Sequence, residues 1–361
     1  MRRRTPKYGA HIPFRRKTAG LRSTLLFNCC RFCFGAEGRA PYDNRMTTLK
    51  RNLKRDTTQM LDQFKGCLLG AAIGDALGMA RESTPPDFQR LHDGYRRAWR
   101  GHPNAGLKPG QFTDDTQLML LVAGMLADGT YSESAYTAAL VRMYMNEELR
   151  FPDGAVDAAC RHLLLTDGGK PGGVSSNTAG CISIAVPFGL AYGEPVDVTE
   201  RVARACSVTH THPAAHAGAI TVAMLVHYAV RGRPDALPLA EKHACLEDVP
   251  LGNKIHAAVR LANEGISLDS ALSVIGNDVT VYQTVPLAFF LISRIRDIAD
   301  LLTTAAHVGG NTDTIALICG AYAGAIYGKA ALPRDLLDGL EGRDEIESTA
   351  ARLYERCTAK P

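Results

Sequence analysis

The chain has 361 residues, 46% of them hydrophobic and 22% charged, a globular composition rather than a disordered or fibrous one. Its net charge of +4 hides an asymmetry: residues 1–60 carry fifteen Lys/Arg against three acids, a net +12, and the remainder nets −8. A mildly acidic body argues against a nucleic-acid binder, and no uninterrupted apolar run reaches the roughly 18 residues of a membrane span.

The basic segment 1–60 is Arg-rich and poor in acids. It reads as a disordered tail, a transit peptide of mitochondrial type, or sequence upstream of a later start at Met46 or Met60. The expected location is cytoplasmic, or mitochondrial if the segment is a transit peptide. Of ten cysteines, Cys29, Cys30 and Cys33 cluster in this tail and the rest are scattered. No spacing resembles a zinc site or a disulfide framework, so buried reduced thiols are expected.

From Leu61 the pattern is helical, with Leu61, Phe64, Leu68 and Ala72 at helical spacing. Gly66, Gly70, Gly74 and Gly78 recur every fourth residue. Such a stripe weakens a helix by about 1 kcal/mol per glycine, so it implies a backbone approaching closely along that face. Asp75 and Glu82, two turns apart, are expected on one face of this helix, and Pro85-Pro86 ends it. Residues 83–112 read as a loop. Then "QFTDDTQLML" (111–120) leads into an apolar helix over 117–126 that stops near Gly129. Further helices are expected at 132–148, 199–207, 214–230, 255–263, 269–276, 284–302, 315–328 and 345–356, with 181–192 apolar and 166–178 a turn-rich loop. Ile315 to Ile326 is the longest apolar run, preceded by Asp313. Strand signals never alternate for long. The expected fold is all-α: a single-domain orthogonal multi-helix bundle over 61–357, following the 1–60 extension, with a metal site at helix ends.

Two segments place short oxygen-bearing side chains at a helix start: Thr113, Asp114, Asp115 and Thr116, and Asn311, Thr312, Asp313 and Thr314. Helix capping accounts for one residue per site, worth about 1 kcal/mol. The remaining carboxylates, with Asp75 inside an apolar helix, fit a hard divalent cation held by oxygen ligands. Spacing alone leaves both readings open. His210, His212, His216 and His307 are expected mostly as packing or hydrogen-bonding residues.

These segments together resemble the ADP-ribosylglycohydrolase family. The likeness rests on "GCLLGAAIGDALGMARE" (66–82), "FTDDTQLML" (112–120), "TH" (209–210), "NDVTVYQTVPLAF" (277–289) and "GGNTDTIALICGAYAGAIYG" (309–328), which occur in family order. The resemblance implies an all-α fold, two Mg²⁺ ions (Mn²⁺ in some members) and cleavage of a glycosidic bond at the ribose anomeric carbon. It implies metal ligands at Thr113, Asp114, Asp115, Asp313 and Thr314, with Asn311 where the family usually has Asp. It implies Asp114, Asp115 and Glu82 as the catalytic carboxylates and His210 near bound ADP-ribose. In the loop that commonly reads Asn-Gly and then Met-Arg, this chain has Ala179-Gly180 and Ser183-Ile184. Ser175, Ser176, Asn177 and Gly180 are left as substrate contacts, in a Gly-rich stretch that would cradle pyrophosphate. Gln283 stands where many members carry Glu. The expected partner is an ADP-ribosylated protein or ADP-ribose conjugate, met by a monomer. The alternatives are a non-catalytic ADP-ribose binder or crystallin-like relative, and an unrelated metal-dependent phosphoesterase.

Overall fold

The structure, a computed structural model, describes residues 45–89, 94–166 and 172–359, with side chains from residue 57 onward. The tail cysteines and residues 167–171 of the Gly-rich loop lie outside the described residues. The chain divides into two compact units, Met1–Lys50 and Arg51–Pro361. Of the first, only the helical backbone of residues 45–50 is described; the second carries the fold and the site.

The fold is all-α. Among the described residues there are fifteen α-helices and no strand beyond two isolated bridges, Val174 to His210 and Thr178 to Thr280. In order they are α1 (Arg45–Gly78), α2 (Asp114–Asp128), α3 (Glu133–Met145), α4 (Gly154–Leu165), α5 (Val186–Ala191), α6 (Pro195–Cys206), α7 (Pro213–Val230) and α8 (Ala236–Glu247). Then come α9 (Val249–Asn263), α10 (Leu268–Ile275), α11 (Val281–Arg294), α12 (Ile298–Ala305), α13 (Thr312–Tyr327), α14 (Arg334–Gly339) and α15 (Arg343–Thr358).

Several boundaries differ from the sequence reading, each for a local reason. The helix expected from Leu61 begins at Arg45. It ends at Gly78, short of Pro85-Pro86, and a 3-10 turn over Met79–Arg81 follows. Glu82 therefore does not share a helical face with Asp75; it sits beyond the helix in extended backbone (φ −53°, ψ 140°). The single helix expected over 284–302 is two, because Asp297 caps the second by accepting from Asp300 N. Helices α4, α8 and α14 were not expected. Pro152 and Gly154 mask the start of α4, although Asp153 caps it through Ala155 N. Pro238 masks the first turn of α8.

Helix α7 forms the centre, packing against α5, α6, α8, α11 and α13. It corrects the reading of apolar runs: by length and composition it is long enough to cross a membrane, but 83% of it is buried inside the protein, as befits a core helix.

The glycine stripe finds its backbone partner in α13. A Cβ on Gly70 would lie 2.2 Å from Gly320 O, and one on Gly74 would lie 2.0 Å from Ala316 O. Gly66 meets Gly324 and Gly328, and Gly78 meets Thr312, so the two helices run antiparallel in main-chain contact. The start of α13, with Asp313 and Thr314, is thereby fixed beside the end of α1. The seam makes two glycine-to-alanine changes opposite in sign. Gly70→Ala forces backbones apart and should lower stability by about 1–3 kcal/mol. Gly124→Ala in α2 meets nothing within 4 Å and should raise it by about 0.5–1 kcal/mol. Urea unfolding of both variants measures this; a neutral Gly70→Ala would refute main-chain contact at the seam.

Candidate functional site

Asp75 is fully buried in α1 and accepts from four donors: Thr113 N and Oγ1 and Thr116 N and Oγ1, at 2.6–3.2 Å. Burial raises its pKa and the threonine hydrogen bonds oppose that rise. Its oxygens are committed to the amides and hydroxyls at the start of α2, so this carboxylate locks the "TDDT" turn in place. Thr113 caps α2, accepting from Asp115 N at 3.3 Å. Arg150 completes the clamp: Nη1 donates to Phe112 O at 3.1 Å, its guanidinium covers the Phe112 ring and pairs with Glu341, and its carbonyl accepts from Asp114 N. Capping thus explains Thr113, and Asp75 explains the fold of the turn. Neither employs the carboxylates of Asp114 and Asp115.

Those two point into a cleft of about 310 Å³. Asp313 and Thr314 enter from α13, and Thr314 Oγ1 donates to Asp115 Oδ2 at 2.7 Å. Glu82 enters from the segment after α1. Ser83 N donates to Gly310 O at 2.7 Å and Gly310 N to Thr84 O at 3.0 Å, which ties that segment to the approach of α13. Glycine is required at 310, where the backbone is left-handed (φ 68°) and a Cβ would strike Asn277 O. Asn104 Nδ2 donates to Glu82 Oε2 at 3.0 Å. His102 accepts from Asn104 N at Nδ1, so its Nε2 carries the proton and donates to Glu82 O at 2.8 Å.

The cleft is lined by five carboxylates (Glu82, Asp114, Asp115, Asp153, Asp313) and, among the described residues, by no Lys or Arg. Burial first, and mutual repulsion second, raise Asp114, Asp115 and Asp313 well above the ordinary carboxylate range. Glu82 is pushed up to about 8 by burial and the nearby Asp115. Ser183 is buried close enough to Asp115 to favour its charged form, yet its hydroxyl has no partner of good hydrogen-bond geometry. The donors are all hard oxygens, and their charge lacks a compensating cation among the described lining, so the residues fit a divalent ion of the Mg²⁺ class. They are not drawn into a ready-made cage: among the described residues no three His, Cys, Asp or Glu side chains already converge on one ion position.

Asn311 lines the same cleft. Its Nδ2 donates to Thr284 Oγ1 at 3.0 Å, and Thr284 spends its own proton on Asp278 O at 2.9 Å. An Asp at 311 would meet a lone pair there, which gives the neutral residue a local reason. Its carbonyl oxygen remains to face a ligand.

The expected substrate residues are placed unevenly. Gly180 lines the cleft, but Ser175, Ser176 and Asn177 do not; Ser175 is exposed, Ser176 is hydrogen-bonded to Thr178, and Asn177 O accepts from Val281 N. Thr178 and Ala179 reach the cleft in their stead. His210 is fully buried behind that wall, donating from Nε2 to Thr178 Oγ1 at 3.0 Å, with Asp153 Oδ1 at 3.5 Å. It orients Thr178 and Asp153 rather than facing the cleft. Sequence reasoning missed Asp153, whose signal was an acid after Pro152 at a helix start. Gly180 is required beside it, since a Cβ there would lie 2.5 Å from Asp153 Cβ.

Comparison with known proteins adds an independent line. The family model described as ADP-ribosylglycohydrolase matches residues 56–361. The chain is 28% identical to "ADP-ribosylhydrolase ARH3" of Danio rerio, covering 82% of this chain and 91% of that one. It is 27% identical to "ADP-ribosyl-[dinitrogen reductase] glycohydrolase" of Rhodospirillum rubrum, over 79% and 92% respectively. A solved structure titled "ADP-ribosylglycohydrolase-related protein complex" matches with a TM-score of 0.67 and 26% identity, covering 83% of this chain and all of that one.

The Asp153 and His210 pair gives the stability a pH window. Burial would raise Asp153, but hydrogen bonds from His210, Ala155 and Thr178 hold it below the ordinary range. Burial disfavours a charged His210, but Cys181 and Asp153 outweigh it and raise its pKa. The depressed Asp153 stabilises above its unfolded value of about 3.9 and loses that as pH falls; the raised His210 stabilises below about 6.5 and loses that as pH rises. Urea midpoints of His210→Gln should fall furthest below wild type between about pH 4 and 6.5, and the gap should narrow at higher pH to what the neutral imidazole's packing and Thr178 hydrogen bond contribute. A gap that widens as pH rises would contradict the pairing.

Proposed function

This chain belongs to the ADP-ribosylglycohydrolase family, and from that premise we propose that it hydrolyses the glycosidic bond between ADP-ribose and a protein side chain or small acceptor, using a divalent cation held in the carboxylate cleft. The observation that carries this reading is the group of buried carboxylates from α1's exit, α2 and α13, gathered in one cleft whose described lining holds no compensating Lys or Arg. An apolar or capping role would not gather them, because like charges in a low-dielectric site repel.

Asp114, Asp115, Asp313, Thr314 and the Asn311 carbonyl are the residues that would hold Mg²⁺ or Mn²⁺. Thr113 has one lone pair left after capping α2 and donating to Asp75. The bound cation would cancel the repulsion and orient the ribose hydroxyls. The rest is done by the chain itself. Glycosidic cleavage develops positive charge at the anomeric carbon, and the carboxylates of Asp114 and Asp115 favour that charge. Glu82 lines the cleft, its Oε2 fixed by Asn104, where it can give a proton to the departing acceptor or take one from the attacking water. Asp75 and Arg150 keep the α2 turn rigid while this happens. The acceptor left uncommitted by this geometry is an Arg, a Ser or another linkage.

The test is release of ADP-ribose from Arg-, Ser- and Asp-linked substrates with Mg²⁺, Mn²⁺ or EDTA. Turnover should need the cation, and Asp114→Asn should lose at least about 100-fold in rate. The same variant removes one repelling charge, so its melting temperature in EDTA should rise above that of the wild type. Turnover that ignores EDTA sinks the cation; tight ADP-ribose binding without release on any linkage sinks the hydrolase.

A further inference from the structure

Residues 81–84 form a partition. Glu82 and Ser83 line the carboxylate cleft, while Arg81 and Thr84 line a second cavity of about 320 Å³ together with Asp87, Arg96, Arg97 and Trp99. The two cavities have opposite charge. The cleft holds five acids and no Lys or Arg among its described lining; the described lining of the second holds three arginines and one acid. Arg81 is kept on the wall by Asp87, with Nη1 to Oδ2 at 2.9 Å. Arg97 is exposed. Trp99 is 60% exposed, an unusual place for so large an apolar ring. Its edge meets His102 with ring centres 6.1 Å apart, and His102 Nε2 donates to Glu82 O at 2.8 Å. A side chain in the basic cavity is therefore one residue removed from the Glu82 backbone.

We propose that this cavity docks an acidic segment of the polypeptide that carries the ADP-ribose, on the acceptor side of the scissile bond. The proposal rests on the hydrolase reading above. Its logic is electrostatic. A negatively charged acceptor is repelled by the cleft's carboxylates and needs a cationic landing place beside them. The remainder of the chain past residue 60 nets −8, so a lining of three arginines stands out against its surroundings. The ADP-ribose half would use another part of the cleft lining, Thr178 and Gly180, of which Thr178 is hydrogen-bonded to Asp153 and His210. Arginine and tryptophan together suit a peptide, with carboxylates paired to guanidinium and apolar neighbours laid on the indole.

Trp99 is the chain's single tryptophan, so its emission reports this cavity alone and does so without catalysis. The full chain is titrated with a Glu/Ser peptide, with its Gln/Ser counterpart of equal length, and with ADP-ribose. The acidic peptide should shift Trp99 emission saturably, weaken as salt rises, and bind roughly five- to tenfold less tightly to Arg97→Glu. In parallel, ADP-ribose release is measured on acceptors with acidic or neutral flanks. Arg97→Glu should lower kcat/KM by a similar factor on the acidic-flanked acceptor only. Equal shifts from both peptides, no shift from the acidic one, or a shift from ADP-ribose alone each overturn the proposal, the last by assigning the cavity to the nucleotide. If no acceptor releases ADP-ribose, the hydrolase reading fails while the emission titration still decides the docking.

Discussion

The site exists because α1 and α13 touch backbone to backbone. The four glycines of α1 leave no room for a Cβ against Thr312, Ala316, Gly320 and Gly324 of α13. That contact fixes the antiparallel register of the two helices. The register in turn brings the first turn of α13 to the end of α1, where Glu82 emerges. Asp75, one turn earlier on α1, then reaches across to the start of α2 and seizes both of its threonines. Three elements remote in sequence are positioned by one seam and one buried carboxylate. The cleft's acids are consequently held close although they repel one another. The rest of the fold supplies the stability that offsets this.

Much of this was legible in the residues. The spacing of Gly66, Gly70, Gly74 and Gly78 announced a close-packed backbone because nothing else rewards repeated glycine in a helix. The "TDDT" and "NTDT" segments announced an oxygen-rich site because they exceed what capping uses. Long apolar helices such as α7 and α13 were plain from period alone. What was not legible depended on three-dimensional partners. Glu82 read as a continuation of α1 because sequence spacing cannot see that the helix yields to a 3-10 turn after Gly78. Asp75 read as a member of the cation group, and only the structure shows its oxygens spent on Thr113 and Thr116. Asp153 was hidden by Pro152 and Gly154, which look like loop. His210 was visible, but its burial behind Thr178 was not, since buried hydrogen-bonding histidines and ligand-facing ones share the same local pattern.

The electrostatics divide cleanly along residues 81–84. Positive and negative linings back onto one another across this single four-residue segment of chain, with His102 hydrogen-bonded to its backbone. Charge of one sign crowded into one lining is a poor design for stability and a useful one for a site that must receive something of the other sign. Asn311 moderates this on the cleft side. Its amide is fixed by a Thr284 hydroxyl that has already spent its proton, so the position is neutral for a reason intrinsic to this chain's core.

Two residues on the cleft walls, Ser83 and Phe151, hold left-handed backbones at φ 56° and 57°. For side chains other than glycine each such conformation costs roughly 1–2 kcal/mol. Selection for heat tolerance would find glycine or asparagine at these positions an easy gain. The walls would then slacken, so a lineage that moves to hotter surroundings faces a choice between a firmer molecule and a firmer grip.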